Sequence, residues 1–110
     1  MRLQITREYE PEENPREPFA LTFQIILTPA EEDLVTRCGE ANLSGAWPVA
    51  DLRKGIKRRY RSASQALADE PLARTACEAL IEHLRDVQAW HGLTTYEFSL
   101  EETSAGGQRV

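Results

Sequence analysis

The stretch FALTFQIILTPAE, residues 19–31, joins the clearest strand pattern in this sequence to its clearest helix start. Large apolar side chains recur at every second position: Phe19, Leu21, Phe23, Ile25 and Leu27. Such alternation is typical of a strand with one face in a core. Thr28 is a suitable N-cap, Pro29 fits the first helical position, and Glu31 completes a capping box. The stretch therefore predicts a core strand that leads directly into a helix.

A second strand is predicted before this stretch. In RLQITREYE, residues 2–10, Leu3, Ile5, Arg7 and Tyr9 alternate with polar residues. The intervening PEENPREP, residues 11–18, contains three prolines and four charges and predicts a loop. Antiparallel pairing of the two strands is the simplest arrangement for consecutive strands.

Residues 48–68 carry apolar side chains at helical spacing. The series is Val49, Leu52, Ile56, Tyr60, Ala63 and Leu67, which falls within an arc of about 80° at 100° per residue. Most of the basic side chains fall in a separate arc: Arg53, Lys54, Lys57, Arg58 and Arg61. We therefore expect one helix over 48–68, with an apolar stripe and a basic face.

A third helix is predicted from an Asp69 cap, with Pro71 in its first turn and Gly92 just past its end. Its apolar stripe is wider than a surface helix on one sheet requires. The residues that widen it are Leu72, Ala79 and Trp90 on one side and Ile81 on the other. We expect these four residues either to pack between two elements or to form an oligomer interface.

The last predicted strand is LTTYEFSLE, residues 93–101, with alternating apolar side chains. Residues 102–110 have no pattern and are expected to form a flexible tail. The predicted fold is α+β, in the order β-β-α-α-α-β. It has a small antiparallel three-stranded sheet covered on one face by helices, in a single domain over residues 1–101.

Composition and sequence motifs narrow the class of function. With 41% hydrophobic and 28% charged residues, the chain has the composition of an ordinary globular domain. It has no apolar run long enough to span a bilayer, and its first residues lack the apolar core of a secretory signal. We therefore expect a cytoplasmic protein with no membrane partner.

No residues are predicted to be catalytic, to bind a metal or to hold a cofactor. Cys38 and Cys77 do not have the number or spacing of a disulfide scaffold or a zinc site. His83 and His91 lie eight residues apart, roughly 12 Å along a helix, too far to ligate one metal together. The glycines form no phosphate-binding loop. These observations argue against an enzyme.

Charge is distributed unevenly, and this asymmetry motivates the functional hypotheses. The chain has a formal net charge of −5, yet residues 51–61 hold six bases and one acid. The first hypothesis is a non-enzymatic protein–protein interaction or adaptor module. It would self-associate or bind an acidic partner through Arg53, Lys54, Lys57, Arg58 and Arg61.

Three other interpretations remain open. A nucleic-acid-associated regulator could use the same basic face, because phosphates bind such arrays. A small enzyme or ligand-binding domain without a recognisable motif is the second alternative. The plainest interpretation is that the protein's own acids balance the basic residues, in which case exposed pairs contribute only about 0–1 kcal/mol each.

Overall fold

The structure, a computed structural model, describes residues 1–38, 49–90, 92 and 99–106. Within these ranges the chain forms four strands and three helices. In chain order they are β1 (Arg2–Tyr9), β2 (Phe19–Ile26), α1 (Pro29–Cys38), α2 (Val49–Lys54), β3 (Ile56–Tyr60), α3 (Ala63–Trp90) and β4 (Glu101–Gly106). The α+β class predicted from the sequence is confirmed.

The four strands form one mixed sheet in the order β3-β2-β1-β4. β1 and β2 pair antiparallel, as predicted, with Ile5 opposite Phe23. β3 adds antiparallel to β2, and β4 adds parallel to β1. The predicted three-stranded antiparallel sheet is therefore corrected to a four-stranded mixed sheet.

The predicted capping box is present at the start of α1. The Thr28 N–H donates to Glu31 Oε1 at 2.8 Å, and the Glu31 N–H donates to Thr28 Oγ1 at 3.3 Å. The buried Glu31 carboxylate also accepts a hydrogen bond from the Met1 amino group at 3.0 Å. That amino group donates to the Ser99 carbonyl at 3.1 Å. Glu31 thus links the starts of β1 and α1 to the segment before β4.

The predicted helix over 48–68 is wrong, because the chain leaves helical geometry at Gly55. α2 ends at Lys54, and Gly55 has a φ of 103°, a conformation that favours glycine. β3 follows at once and pairs with β2 through Ile56–Phe23 and Tyr60–Phe19. A spacing of four residues returns to the same face in a helix and also in a strand. This ambiguity allowed Ile56 and Tyr60 to fit the helical pattern.

α3 begins before the predicted Asp69 cap. Ser62 caps it, accepting the Gln65 N–H on Oγ at 3.2 Å and the Ala66 N–H on its carbonyl at 3.2 Å. Pro71 lies inside the helix rather than in its first turn. The predicted end is correct, because α3 stops at Trp90 and Gly92 adopts a φ of 63°. α3 therefore has 28 residues, about 42 Å of helix.

The core lies between one face of the sheet and the helices. Sheet residues that point into it are completely or almost completely buried: Leu3, Ile5, Leu21, Phe23 and Ile25. α3 contributes the largest helical share, namely Ala66, Ala73, Ala76, Cys77, Leu80, Ile81 and Leu84. Leu34, Val35 and Leu52 complete the same cluster from α1 and α2. The opposite face of the sheet is polar, as in the Gln4–Gln24 and Thr6–Thr22 cross-strand pairs.

The strand predicted over 93–101 falls mostly on residues outside the described ranges. The structure describes β4 at Glu101–Gly106, and all six of its residues pair with Arg2 to Arg7 of β1. Residues 102–106, which the sequence pattern assigned to a tail, thus lie in the sheet. Their composition, with Glu, Ser, Ala and Gly, is poor in strand-favouring residues, so propensity gave no signal here.

Candidate interaction surfaces

The bases of the 51–61 segment lie on α2, on β3 and just after it, and most of them contact acids of the same chain. Arg53 pairs with Glu32 of α1. On the polar face of the sheet, Glu10 Oε1 lies 3.1 Å from Lys57 Nζ and 3.2 Å from Arg59 Nη2. The close contact with the Lys57 ammonium is the main reason that the pKa of Glu10 is lowered.

The other face of β3 presents its charge to α3. Arg58 Nη1 lies 3.6 Å from Asp69 Oδ2, and the Tyr60 hydroxyl donates to the same oxygen. Burial and the Asp69 carboxylate raise the pKa of Tyr60 above its usual value. Asp69, predicted from sequence as a helix cap, instead holds β3 against the first turns of α3.

These contacts neutralise most of the positive charge that suggested a binding face. Among the described residues, at least four carboxylates contact the segment, those of Glu10, Glu13, Glu32 and Asp69. Counting them reduces the five-unit excess over residues 51–61 to one unit. Of the five predicted binding residues, Lys54 and Arg61 have exposed side chains with no ion pair in the described part of the chain.

A second charged cluster, not predicted from the sequence, connects α3 to both β1 and β4. Arg7 donates to both oxygens of Glu70, Nε at 2.8 Å and Nη2 at 2.6 Å. One turn later, Arg74 donates to both oxygens of Glu102, at 2.6 and 2.7 Å. The Glu70 hydrogen bonds raise the pKa of Arg7, and the Arg74 hydrogen bonds lower the pKa of Glu102.

The sequence did contain a signal for the first of these pairs. Arg7 occupies a core-facing position of β1, and Glu70 lies within the apolar arc of α3, where its side chain is 7% exposed. A charge in a buried position requires a partner. Two opposite charges in core positions of neighbouring elements could therefore have predicted their pairing.

The four predicted oligomer-interface residues divide into two groups. Ile81 is buried in the core, which fits the alternative that it packs between two elements. The other three side chains are exposed to solvent: Leu72 is 55% exposed, Trp90 is 86% exposed, and Ala79 is also exposed. Leu72 and Trp90 are 18 residues apart, which is five helical turns or about 27 Å, so both lie on one line along α3. Ala79 lies about 20° around the helix axis from that line. We call Leu72, Ala79 and Trp90 the α3 stripe.

A small apolar cleft lies at the end of the sheet where β1 finishes and β2 begins. Tyr9, Phe19 and Tyr60 form a row across three strands, and the Tyr9 and Phe19 rings lie 5.0 Å apart. The cleft has a volume of about 200 Å³ and lies between the Tyr9 and Phe19 rings, Leu67 and the Arg7–Glu70 pair. Arg7 and Glu70 in its wall are paired with each other, and the Glu8 carboxyl also lines the cleft.

Other potential chemistry is limited in the described part of the chain. The Cys77 thiol is buried, and burial raises its pKa to about 12, which disfavours the thiolate form that acts as a nucleophile. Among the described residues, no three side chains of metal-binding type come together. The described helices include none that is long and apolar enough to cross a membrane. His91 and the side chain of Cys38, which were considered above as metal or disulfide candidates, lie outside the part of the chain that the structure describes.

Comparison with other proteins adds no assignment to these surfaces. No known protein family, curated protein or solved structure matches this chain.

Proposed function

We propose that this protein is a non-enzymatic protein–protein interaction module that docks a helix of a partner protein on the α3 stripe. The observation that supports this most strongly is the exposure of Leu72 and Trp90 on one line of the longest helix. Single exposed apolar side chains are common, but Leu72 and Trp90 lie on one helix line with Ala79 between them, so a partner helix could contact all three over about 27 Å.

The energetic argument is that the α3 stripe leaves large apolar groups in water. Burial of a side chain of this size is worth about 2 kcal/mol. Trp90, which is 86% exposed, and Leu72 therefore offer about 4 kcal/mol together if a partner covers them. Ala79 lies between them, and its small side chain lets a second helix approach closely.

The charges beside the α3 stripe favour a basic partner. Glu78, Glu82 and Asp86 lie along one flank, and Arg85, which contacts Glu82 Oε1 at 2.6 Å, supplies only one positive charge there. An amphipathic helix with an apolar ridge and lysines or arginines beside it would complement this flank. If a second copy of α3 packed antiparallel on the stripe, the two-fold axis would place both acidic flanks on the same side of the helix pair. The flanks would then repel each other, so the charges favour a basic partner over a second copy.

The basic residues of 51–61 receive less support as a docking face than the sequence suggested. Their ion pairs with the chain's own acids fit the interpretation of internally balanced charge. The nucleic-acid alternative has little support for the same reason, since phosphates would have to displace Glu10, Glu32 and Asp69.

The test uses a defined helical probe, a synthetic 21-residue peptide with leucines along one face and lysines beside them. We expect it to bind and to shift the amide NMR signals of α3 near Leu72, Ala79 and Trp90. Replacing Leu72 and Trp90 with glutamate should weaken binding by at least ~30-fold, the equivalent of about 2 kcal/mol.

Leu67→Glu is the matched control. Leu67 lies on the same helix and is 54% exposed, almost the same as Leu72, but it points about 140° away from the α3 stripe. It should leave binding unchanged. Equal weakening by Leu67→Glu and by the stripe variant, or no binding of the wild-type protein at about 1 mM peptide, would remove the support for this function.

A further inference from the structure

The two edges of the sheet differ in how they are protected. β3 is one edge, and three of its five residues are Lys57, Arg58 and Arg59. Short strands and basic residues are the usual means by which an edge avoids pairing with another chain. β4 is the other edge, and from Thr103 to Gly106 it has no charge and no proline. Among the described residues it pairs on one side only, with β1.

The register identifies the backbone groups on the outer side of β4. The Glu101 N–H donates to the Met1 carbonyl at 3.0 Å, so Glu101 faces β1. Backbone groups alternate in direction along a strand, so Thr103 and Ala105 also face β1. Glu102, Ser104 and Gly106 therefore direct their N–H and C=O groups away from β1.

We infer that the outer edge of β4 pairs antiparallel with β4 of a second copy, about a two-fold axis at Ser104. This register is the one that uses all three outward residues of both strands. Ser104 then pairs with Ser104 of the second copy, and Glu102 lies opposite Gly106. Moving the axis to Glu102 would place two carboxylates opposite each other, which is destabilising, and moving it by one residue would leave an outward residue of each strand unpaired.

The pairing extends the sheet to eight strands, four from each copy. A two-fold axis perpendicular to the sheet places both α3 helices on the same face. It does not use the α3 stripe, because Arg74, which contacts Glu102, lies about 160° around the helix from Leu72. The inference is therefore independent of the proposed function, and the dimer would present two stripes.

The decisive variant is Ser104→Pro, measured by light scattering at protein concentrations from about 10 to about 500 µM. The Ser104 N–H points outward, so proline removes a donor needed by the second copy and spares the ladder to β1. The wild-type mass is expected at twice 12.5 kDa. Ser104→Pro is expected at the monomer mass, with unchanged circular dichroism, and Ser104→Ala, which keeps the N–H, should remain a dimer.

A second variant covers the case in which proline unfolds the chain. Gly106→Glu places a carboxylate opposite Glu102 of the second copy and should weaken dimerisation at least ten-fold at low salt, with recovery at about 0.5 M salt. A monomeric wild-type protein throughout the concentration range would overturn the inference. So would a folded Ser104→Pro dimer, or a dimer lost on replacing Leu72 and Trp90 with glutamate but kept in Ser104→Pro.

Discussion

Replacement of Gly55 by alanine tests the position at which the structure departs from the sequence pattern. Gly55 separates α2 from β3 and adopts a φ of 103°. A Cβ added there would meet only Thr22 Cγ2, at 3.9 Å, which is an ordinary van der Waals distance. The cost of the substitution therefore comes from the backbone conformation and not from a clash.

The expected loss follows from two opposing effects. An L-residue held in such a sparsely populated conformation costs about 1–3 kcal/mol. Alanine also reduces the conformational entropy of the unfolded chain, which returns about 0.4–1 kcal/mol to the folded state. We expect a net loss of about 1–2 kcal/mol in the free energy of unfolding, or a fall of roughly 4–8 °C in Tm.

Urea unfolding followed by circular dichroism measures this loss, and Gly92→Ala is the matched control. Gly92 has a φ of 63°, within the left-handed helical region, and an added Cβ would meet nothing within 4 Å. Its substitution should cost less than that of Gly55, by about 1 kcal/mol. A neutral or stabilising Gly55→Ala, above all with increased helical signal, would refute the reasoning, because residues 49–61 could then form the single helix that their periodicity suggests.

Three further predictions concern the charged and buried groups. Arg7→Met should cost about 2–3 kcal/mol in urea unfolding, because it leaves the buried Glu70 carboxylate unpaired. Combining it with Glu70→Leu should recover most of that loss. Arg74 lowers the pKa of Glu102 in the folded protein, so the pair stabilises the fold above the unfolded pKa of about 4.5, and this stabilisation is lost as pH falls through the folded pKa. Glu102→Gln should therefore flatten the dependence of the urea midpoint on pH between about pH 6 and pH 3. The Cys77 thiol should resist alkylation at about pH 8 until urea unfolds the chain, because burial raises its pKa to about 12. Mass spectrometry of the digested protein identifies which cysteine has been alkylated.

Each of these predictions has an outcome that contradicts it. A double variant as unstable as Arg7→Met would mean that the loss does not come from an unpaired carboxylate. An unchanged pH profile in Glu102→Gln would show that Arg74 does not favour the ionised carboxyl. Alkylation of Cys77 at the same rate with and without urea would show that its thiol is accessible in the folded protein.

The parts of the fold that were predicted correctly are those with short-range signals. Alternation over β1 and β2, the Thr28–Glu31 capping box and the glycine at the end of α3 are all determined by neighbouring residues. The predicted α+β class followed from these elements.

The incorrect predictions concern contacts between residues far apart in the sequence, which the local spacing of apolar residues does not reveal. Ile56 and Tyr60 match a helix and a strand equally well, and pairing with β2 decides between them. β4 has no apolar alternation and is fixed by its ladder to β1 and the Arg74–Glu102 pair. Likewise, the basic residues were visible in the sequence, but the carboxylates that contact several of them come from distant positions such as Glu10 and Glu32.

The parallel pairing of β1 with β4 has a consequence for the order of folding. Arg2 pairs with Glu101, about a hundred residues away, whereas Tyr9 and Phe19 close a loop of about ten. The longer closure costs roughly 2 kcal/mol more in chain entropy. During synthesis, β1 is made about a hundred residues before β4, so one edge of β1 has no partner while the intervening chain is produced. The β1–β4 ladder can form only after β4 has been made, and we expect β1 to be the segment most exposed to mispairing until then.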